Sequence, residues 1–233
     1  GEKSSLAKLI EEAAKIVSSV TGNFPASDLQ VLVEPGGYGP NAIPMGYVSR
    51  GGKPAVHLHI NERKHKSFSK DTTLLHEFSH LLLPKVDDQE SWLTEGLATY
   101  YEYILSGRSG YFSTRSTLNT FAKNFELARL TAPTQSLRDI SKSRGFGKGR
   151  DKVYWGGAAV FFVADIKLRM MTNDTYTLDT LLAEFADCCA KNQTIWTGEK
   201  LFREFDRISG QNIFSELYRD NVVGTLFPDV KNA

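Results

Sequence analysis

His76, Glu77 and His80, within the run His76-Glu77-Phe78-Ser79-His80, have the types and spacing needed for metal-assisted hydrolysis. Histidines four apart project from one face of a helix. Both imidazoles can therefore reach a single tetrahedral zinc, while the glutamate lies beside the water to be activated. Leu74, Leu75, Phe78, Leu81 and Leu82 form an apolar stripe on the opposite side. A five-residue pattern also arises by chance on solvated helices, so the site needs a third ligand. Glu95 offers one: it lies 15 residues beyond His80, within Trp92-Leu93-Thr94-Glu95-Gly96-Leu97-Ala98-Thr99-Tyr100-Tyr101. Pro84 breaks the first helix, so a helical hairpin can return Glu95 to the histidines, and Gly96 removes a side chain where the two helices would approach. Two imidazoles, one carboxylate and an open fourth position suit one zinc ion per chain, with Glu77 as general base.

The elements that must position these groups are mostly helical. From Asp71 onward the apolar spacing predicts helices over 71–83, 90–106, 114–130, 153–171, 177–190, 198–208 and 211–222. An amphipathic helix opens the chain after a Ser4-Ser5 cap, carrying Leu6, Leu9, Ile10, Ala13, Val17 and Val20 and ending at Gly22. Residues 28–34 and 55–60 alternate as strands, with a Gly- and Pro-rich loop at 35–46. Confining the strands to the first third implies an α+β fold. A small mixed lobe, 1–83, would end in the zinc-binding helix. An all-helical lobe, 84–233, would carry the third ligand, with the active-site cleft between them in one catalytic domain. Residues 131–152 read as a long basic loop, either a solvated connection or a rim of the site.

Composition narrows the partners. A hydrophobic share of 41% supports a sizeable core, and 28 Lys and Arg against 27 Asp and Glu leave a net charge of +1, with no bias toward nucleic acid. The longest apolar stretch, Gly156 to Ala164, is interrupted by Asp165 and falls far short of the ~20 residues that span a bilayer, so no membrane insertion is expected. Cys188 and Cys189 are adjacent; neighbours reach disulfide geometry with difficulty, so free packing thiols are expected. The chain begins at Gly1 without a signal peptide, which fits a trimmed or mature exported protein, periplasmic or secreted, ahead of a cytoplasmic one.

The two-histidine helix, the Trp-Leu-x-Glu-Gly segment starting at Trp92 and the later Tyr154-Trp155-Gly156-Gly157 resemble the gluzincin (thermolysin-like zincin) catalytic domain of aminopeptidase N relatives. Closer still is the resemblance to the glycyl aminopeptidase family, peptidase family M61, which extends over most of 70–230 through Ser209-Gly210 and Val223-Gly224-Thr225. It implies that Tyr154 stabilises the transition state. All five histidines lie at or before position 80, which leaves a phenol as a suitable oxyanion donor. Members of that family also carry a β-rich domain and a PDZ domain, so this chain looks like the catalytic domain alone. Where relatives place a glutamate for the substrate's amino terminus, this chain has Gly36-Gly37-Tyr38-Gly39-Pro40, which leaves aminopeptidase and endopeptidase both open.

Weaker signals surround this set. His57 and His59 read as polar-face residues beside the cleft, and Val56 to Ile60 as a strand that could offer its edge to an extended substrate. Asp165 and Arg169, four apart, read as a surface ion pair of small energetic consequence. Thr99 and Glu102 could support Glu95, with a solvated face as the plainer account of Glu102. The reading is a zinc metallopeptidase acting on peptide or protein substrates. Its alternatives are a peptide-binding module that has lost catalysis and a hydrolase of another small amide or ester.

Overall fold

The computed structural model describes residues 2–50, 52–64, 68, 71–143, 147–190 and 195–232. It is mixed α+β and mostly helical. Helix α1 (Glu2–Thr21) precedes strands β1 (Gln30–Pro35), β2 (Met45–Ser49) and β3 (Ala55–Ile60), and α2 (Thr73–Ser79) follows. The strands form one sheet in the order β1-β3-β2, with β1 parallel and β2 antiparallel to β3. Val56, Leu58 and Ile60 of β3 are buried, so this strand is the centre of the sheet. Paired on both sides, it has no free edge to offer a substrate, whereas β2 is paired on its β3 side alone among the described residues. From sequence 35–46 reads as loop, because Gly and Pro on the approach conceal the short alternation of Met45 to Ser49.

The helical part comprises α3 (Ser91–Arg108), α4 (Thr114–Leu130), α5 (Leu137–Ser141), α6 (Gly157–Thr172), α7 (Leu178–Cys188), α8 (Gly198–Ser209) and α9 (Ile213–Leu217). Within 131–152, α5 interrupts what reads from sequence as loop. Lys152 closes that segment on itself by donating to the carbonyls of Ala132 (3.0 Å) and Gln135 (2.5 Å). No described helix is long and apolar enough to cross a membrane.

Helices α3 and α6 pack backbone to backbone. A Cβ at Gly96 would lie 2.5 Å from the carbonyl carbon of Gly157, and one at Gly157 would collide with the Trp92 carbonyl oxygen. The same two helices share a buried polar hub at Asp165. It accepts hydrogen bonds from Tyr100 Oη (2.8 Å), the Leu178 amide (2.7 Å) and Arg169 Nε (3.0 Å). The Asp165–Arg169 pair is thus structural rather than a surface ornament; alternating charge cannot reveal that α3 and α7 converge on it. Asp165→Ala strands three donors and is expected to cost about 3–5 kcal/mol, read as a lower urea midpoint at unchanged slope.

Cys188 and Cys189 form a disulfide, which corrects the expectation of free thiols. Helix α7 ends at Cys188, and Cys189 leaves helical geometry at φ −134° and ψ −30°. A regular helix would have held the two side chains apart.

Candidate functional site

Helix α2 presents His76 and Glu77, and the chain then tightens into a 3₁₀ turn over His80–Leu82. The two imidazoles meet edge to face with centroids 4.9 Å apart. Helix α3 returns antiparallel and brings Glu95 between them. His76 Nε2 is 3.3 Å and His80 Nε2 3.6 Å from the same oxygen, Glu95 Oε2. The three donor atoms lie within 4.8 Å of one another. A tetrahedral ion with bonds of 2.0–2.2 Å holds its ligand atoms about 3.3–3.6 Å apart, so this donor set fits zinc.

The far side of the His76 ring is also held. His76 Nδ1 is 3.1 Å from Glu102 Oε2, and Glu102 Oε1 accepts from Thr72 Oγ1 at 2.6 Å. His80 hydrogen-bonds the Thr94 main chain. Such partners fix the tautomer and aim the opposite nitrogen at an ion. Glu102 therefore orients His76 rather than Glu95 and is not a solvated residue. From sequence, nothing showed that the start of α2 crosses α3 at this height. Thr99 is buried and its hydroxyl has no hydrogen-bond partner among the described residues.

Charge within the cluster is finely divided. Burial works against protonation of His76, but the hydrogen bonds and charges of Glu102 and Glu95 prevail and raise it to about 10. Burial pushes His80 down to about 4, with Glu95 opposing. Glu95 is likewise pushed upward by burial, yet ends below its ordinary value because His76 and His80 favour its charge.

Glu77 is buried, and its Oε2 has no hydrogen-bond partner among the described residues. Burial, reinforced by Glu95 and Glu102 against His76, lifts it to about 7. Its carboxylate occupies the place of a missing side chain on β2: a Cβ at Gly46 would lie 2.7 Å from Glu77 Cγ and 2.8 Å from Oε1.

Tyr154 enters from a π-helical turn, Lys152–Gly156, that leads into α6. Its ring lies nearly parallel to His76 with centroids 6.1 Å apart, and Arg150 covers it at 5.1 Å. Hydrogen bonds link it to Glu95 and Arg150, and burial, followed by the charge of Glu95, raises it to about 12. The end of the basic segment therefore does border the cluster.

These groups line a cleft of about 500 Å³ together with Gly46, Tyr47, Val48 and Arg50 from β2 and the residue after it. Sequence reasoning missed all four, because no motif marks a strand edge that faces a cleft. His57 and His59 do not line this cleft. His57 stacks on Tyr47 at 4.4 Å, and His59 lies 3.8 Å from Glu34.

The family model of M61 glycyl aminopeptidase matches residues 82–152, a segment that includes Glu95 but begins after His80 and ends before Tyr154. No curated protein matches the chain. Among solved structures, an aminopeptidase N family protein from Idiomarina loihiensis is similar with a TM-score of 0.71 at 18% identity, over 97% of this chain and 42% of the other. An M1 zinc metallopeptidase from Deinococcus radiodurans, as a variant bound to a Tyr-Ser-Ala substrate, is similar with a TM-score of 0.64 at 17% identity, over 94% and 45%. The chain thus spans less than half the length of these structures. Through residues 82–152 it resembles the M61 glycyl aminopeptidases, and in fold it resembles the aminopeptidase N family.

Proposed function

We propose that the protein is a zinc-dependent peptidase of the gluzincin type, hydrolysing peptide bonds with Glu77 as general base. The observation that carries this reading is the convergence of His76 Nε2, His80 Nε2 and Glu95 Oε2 beside the buried carboxylate of Glu77, whose Oε2 has no hydrogen-bond partner among the described residues. His76, His80 and Glu95 would hold one zinc ion. Bound there, the ion supplies Lewis acidity, polarising a carbonyl and acidifying water.

The chain's own groups do the rest. Glu77 takes the proton of the attacking water and returns it to the departing amine. A carboxylate lifted toward neutrality is a strong enough base to do this, although the positive charge of an ion acts in the opposite direction. The Tyr154 hydroxyl donates to the carbonyl oxygen as negative charge gathers on it, and a phenol held near 12 remains protonated across the working range. Strand β2, paired only on its β3 side among the described residues, offers main-chain groups to an extended peptide. The cleft draws on both 1–83 and 84–233, which supports treating them as two sides of one zincin-type catalytic domain.

The test is a mixed peptide library incubated with zinc-loaded and with metal-stripped protein, products read by mass spectrometry. Cuts made only by the loaded form establish the peptidase, and their positions separate aminopeptidase from endopeptidase. Absence of cuts, with binding retained, would move the assignment to a peptide-binding module. Cleavage confined to small amide or ester probes would point to another hydrolase.

Zinc loading carries its own signature. With His76 raised to about 10, the metal-free site holds a proton on that ring at pH 8. A zinc ligand must be neutral, so loading is expected to release about one proton. Calorimetry in buffers of different ionisation enthalpy measures it; a binding heat independent of buffer would contradict the assignment.

A further inference from the structure

Resting on the peptidase reading, we propose that Arg50 selects substrates by binding a carboxylate, so that the preferred peptides carry an acidic side chain or a free carboxyl terminus on the His80 side of the cleft. Arg50 follows β2 and lines the cleft with His80. It also lines a second hollow of about 530 Å³, which meets the cleft at Arg50, Pro84 and Lys85. A peptide running past His80 must therefore pass the guanidinium.

Arg50 combines a place in the cleft with a guanidinium that has no carboxylate at ion-pair distance among the described residues. Arg108, Arg129, Arg169, Arg203, Arg207 and Arg219 each lie within ion-pair distance of a carboxylate. Arg50 is partly buried and, like Arg63, Arg115, Arg138 and Arg150, has no such partner among the described residues; of these five it is the one that lines the cleft and the adjoining hollow. It donates from Nη1 to the Leu83 carbonyl at 2.7 Å and from Nη2 to the His80 carbonyl. Those two bonds fix its orientation at the end of the 3₁₀ turn. They use two of five N–H donors, so a planar fork remains able to take a second acceptor. Burial draws its pKa down, the consequence of a desolvated charge without a counter-ion.

Lys85, exposed and lining both hollows, adds a second positive charge to the same end. Of the acidic residues lining the cleft, Glu77 and Glu95 serve the metal site, which leaves Asp88 as the only other carboxylate there among the described residues. A substrate carboxylate would thus supply the counter-charge that the fold withholds from Arg50. A charge-assisted hydrogen bond of this kind discriminates by roughly tenfold to a hundredfold.

The probes are alanine-based hexapeptides, each with a free or amidated carboxyl terminus and with Glu or Gln at one internal position. Cleavage by the zinc-loaded wild type and binding to zinc-loaded Glu77→Gln are both measured. A preference of about tenfold or more for the carboxylate member is expected, and the acid/amide and Glu/Gln pairs separate the terminal from the side-chain source. In Arg50→Met the preference falls to near unity, whereas Arg50→Lys keeps part of it. Equal handling of every pair by the wild type overturns the inference, as does a ratio unchanged in a folded Arg50→Met protein. If Arg50→Met does not fold, the wild-type ratios and Arg50→Lys still decide. Should the wild type cut nothing, the peptidase reading fails, and the binding ratios judge Arg50 independently.

Discussion

Glu77→Gln is expected to bind zinc as the wild type does while losing about 10²- to 10⁴-fold in peptide hydrolysis, the share that a positioned general base contributes. Glutamine fills the same volume beneath Gly46 and leaves His76, His80 and Glu95 in place, so metal content should stay near one ion per chain. The substitution removes only the proposed proton acceptor. It also carries a stability signature in the metal-free protein. The folded value of Glu77, about 7, lies above its ordinary 4.5, so its ionisation works against the fold. That penalty is absent well below 4.5 and complete above 7. Metal-free Glu77→Gln should accordingly gain stability over the wild type at pH 8 and not at pH 4. Metal analysis, turnover and denaturation at the two pH values are the measurements; undiminished turnover would remove Glu77 from the mechanism.

Gly96→Val is expected to separate two helices and abolish zinc binding although no ligand is changed. The nearest atoms to a Cβ at this position are the carbonyl carbon and Cα of Gly157, at 2.5 and 2.6 Å. These are main-chain atoms within α6, with no flexible side chain to move aside. Helices α3 and α6 must therefore part. Glu95, immediately before Gly96, and Tyr154, just upstream of α6, move apart with them. Overpacking of this kind costs about 1–3 kcal/mol where side chains can yield, and more here, where only backbone can. The expected result is a folded but destabilised protein, or none, with zinc affinity reduced beyond the loss seen in an Asp165 variant of similar stability. Normal zinc affinity in Gly96→Val would show that the α3–α6 spacing does not position Glu95.

The sequence disclosed those features that depend on local spacing. His76 and His80 share a helical face because they are four apart, and Gly96 marks a close approach because no other residue could occupy it. Helix positions followed from apolar periodicity, with their ends shifted where the chain tightens at His80–Leu82 or widens at Lys152–Gly156. Features that depend on what crosses what stayed hidden. Glu102 looks solvated along α3 until α2 passes over it, and Asp165 looks like half of a surface pair until Tyr100 and the Leu178 amide arrive. Strand β2 was concealed by Gly and Pro on its approach, and with it Gly46 and Arg50.

Gly46 and Glu77 pack so closely that the strand proposed to receive a peptide and the proposed general base form one mechanical unit. A slide of β2 by a few tenths of an ångström, caused by a loop substitution or by the peptide itself, would carry the carboxylate along. Affinity and turnover in this protein should then respond together to changes at 45–49, so that a looser grip on the substrate and a slower reaction arise from the same displacement.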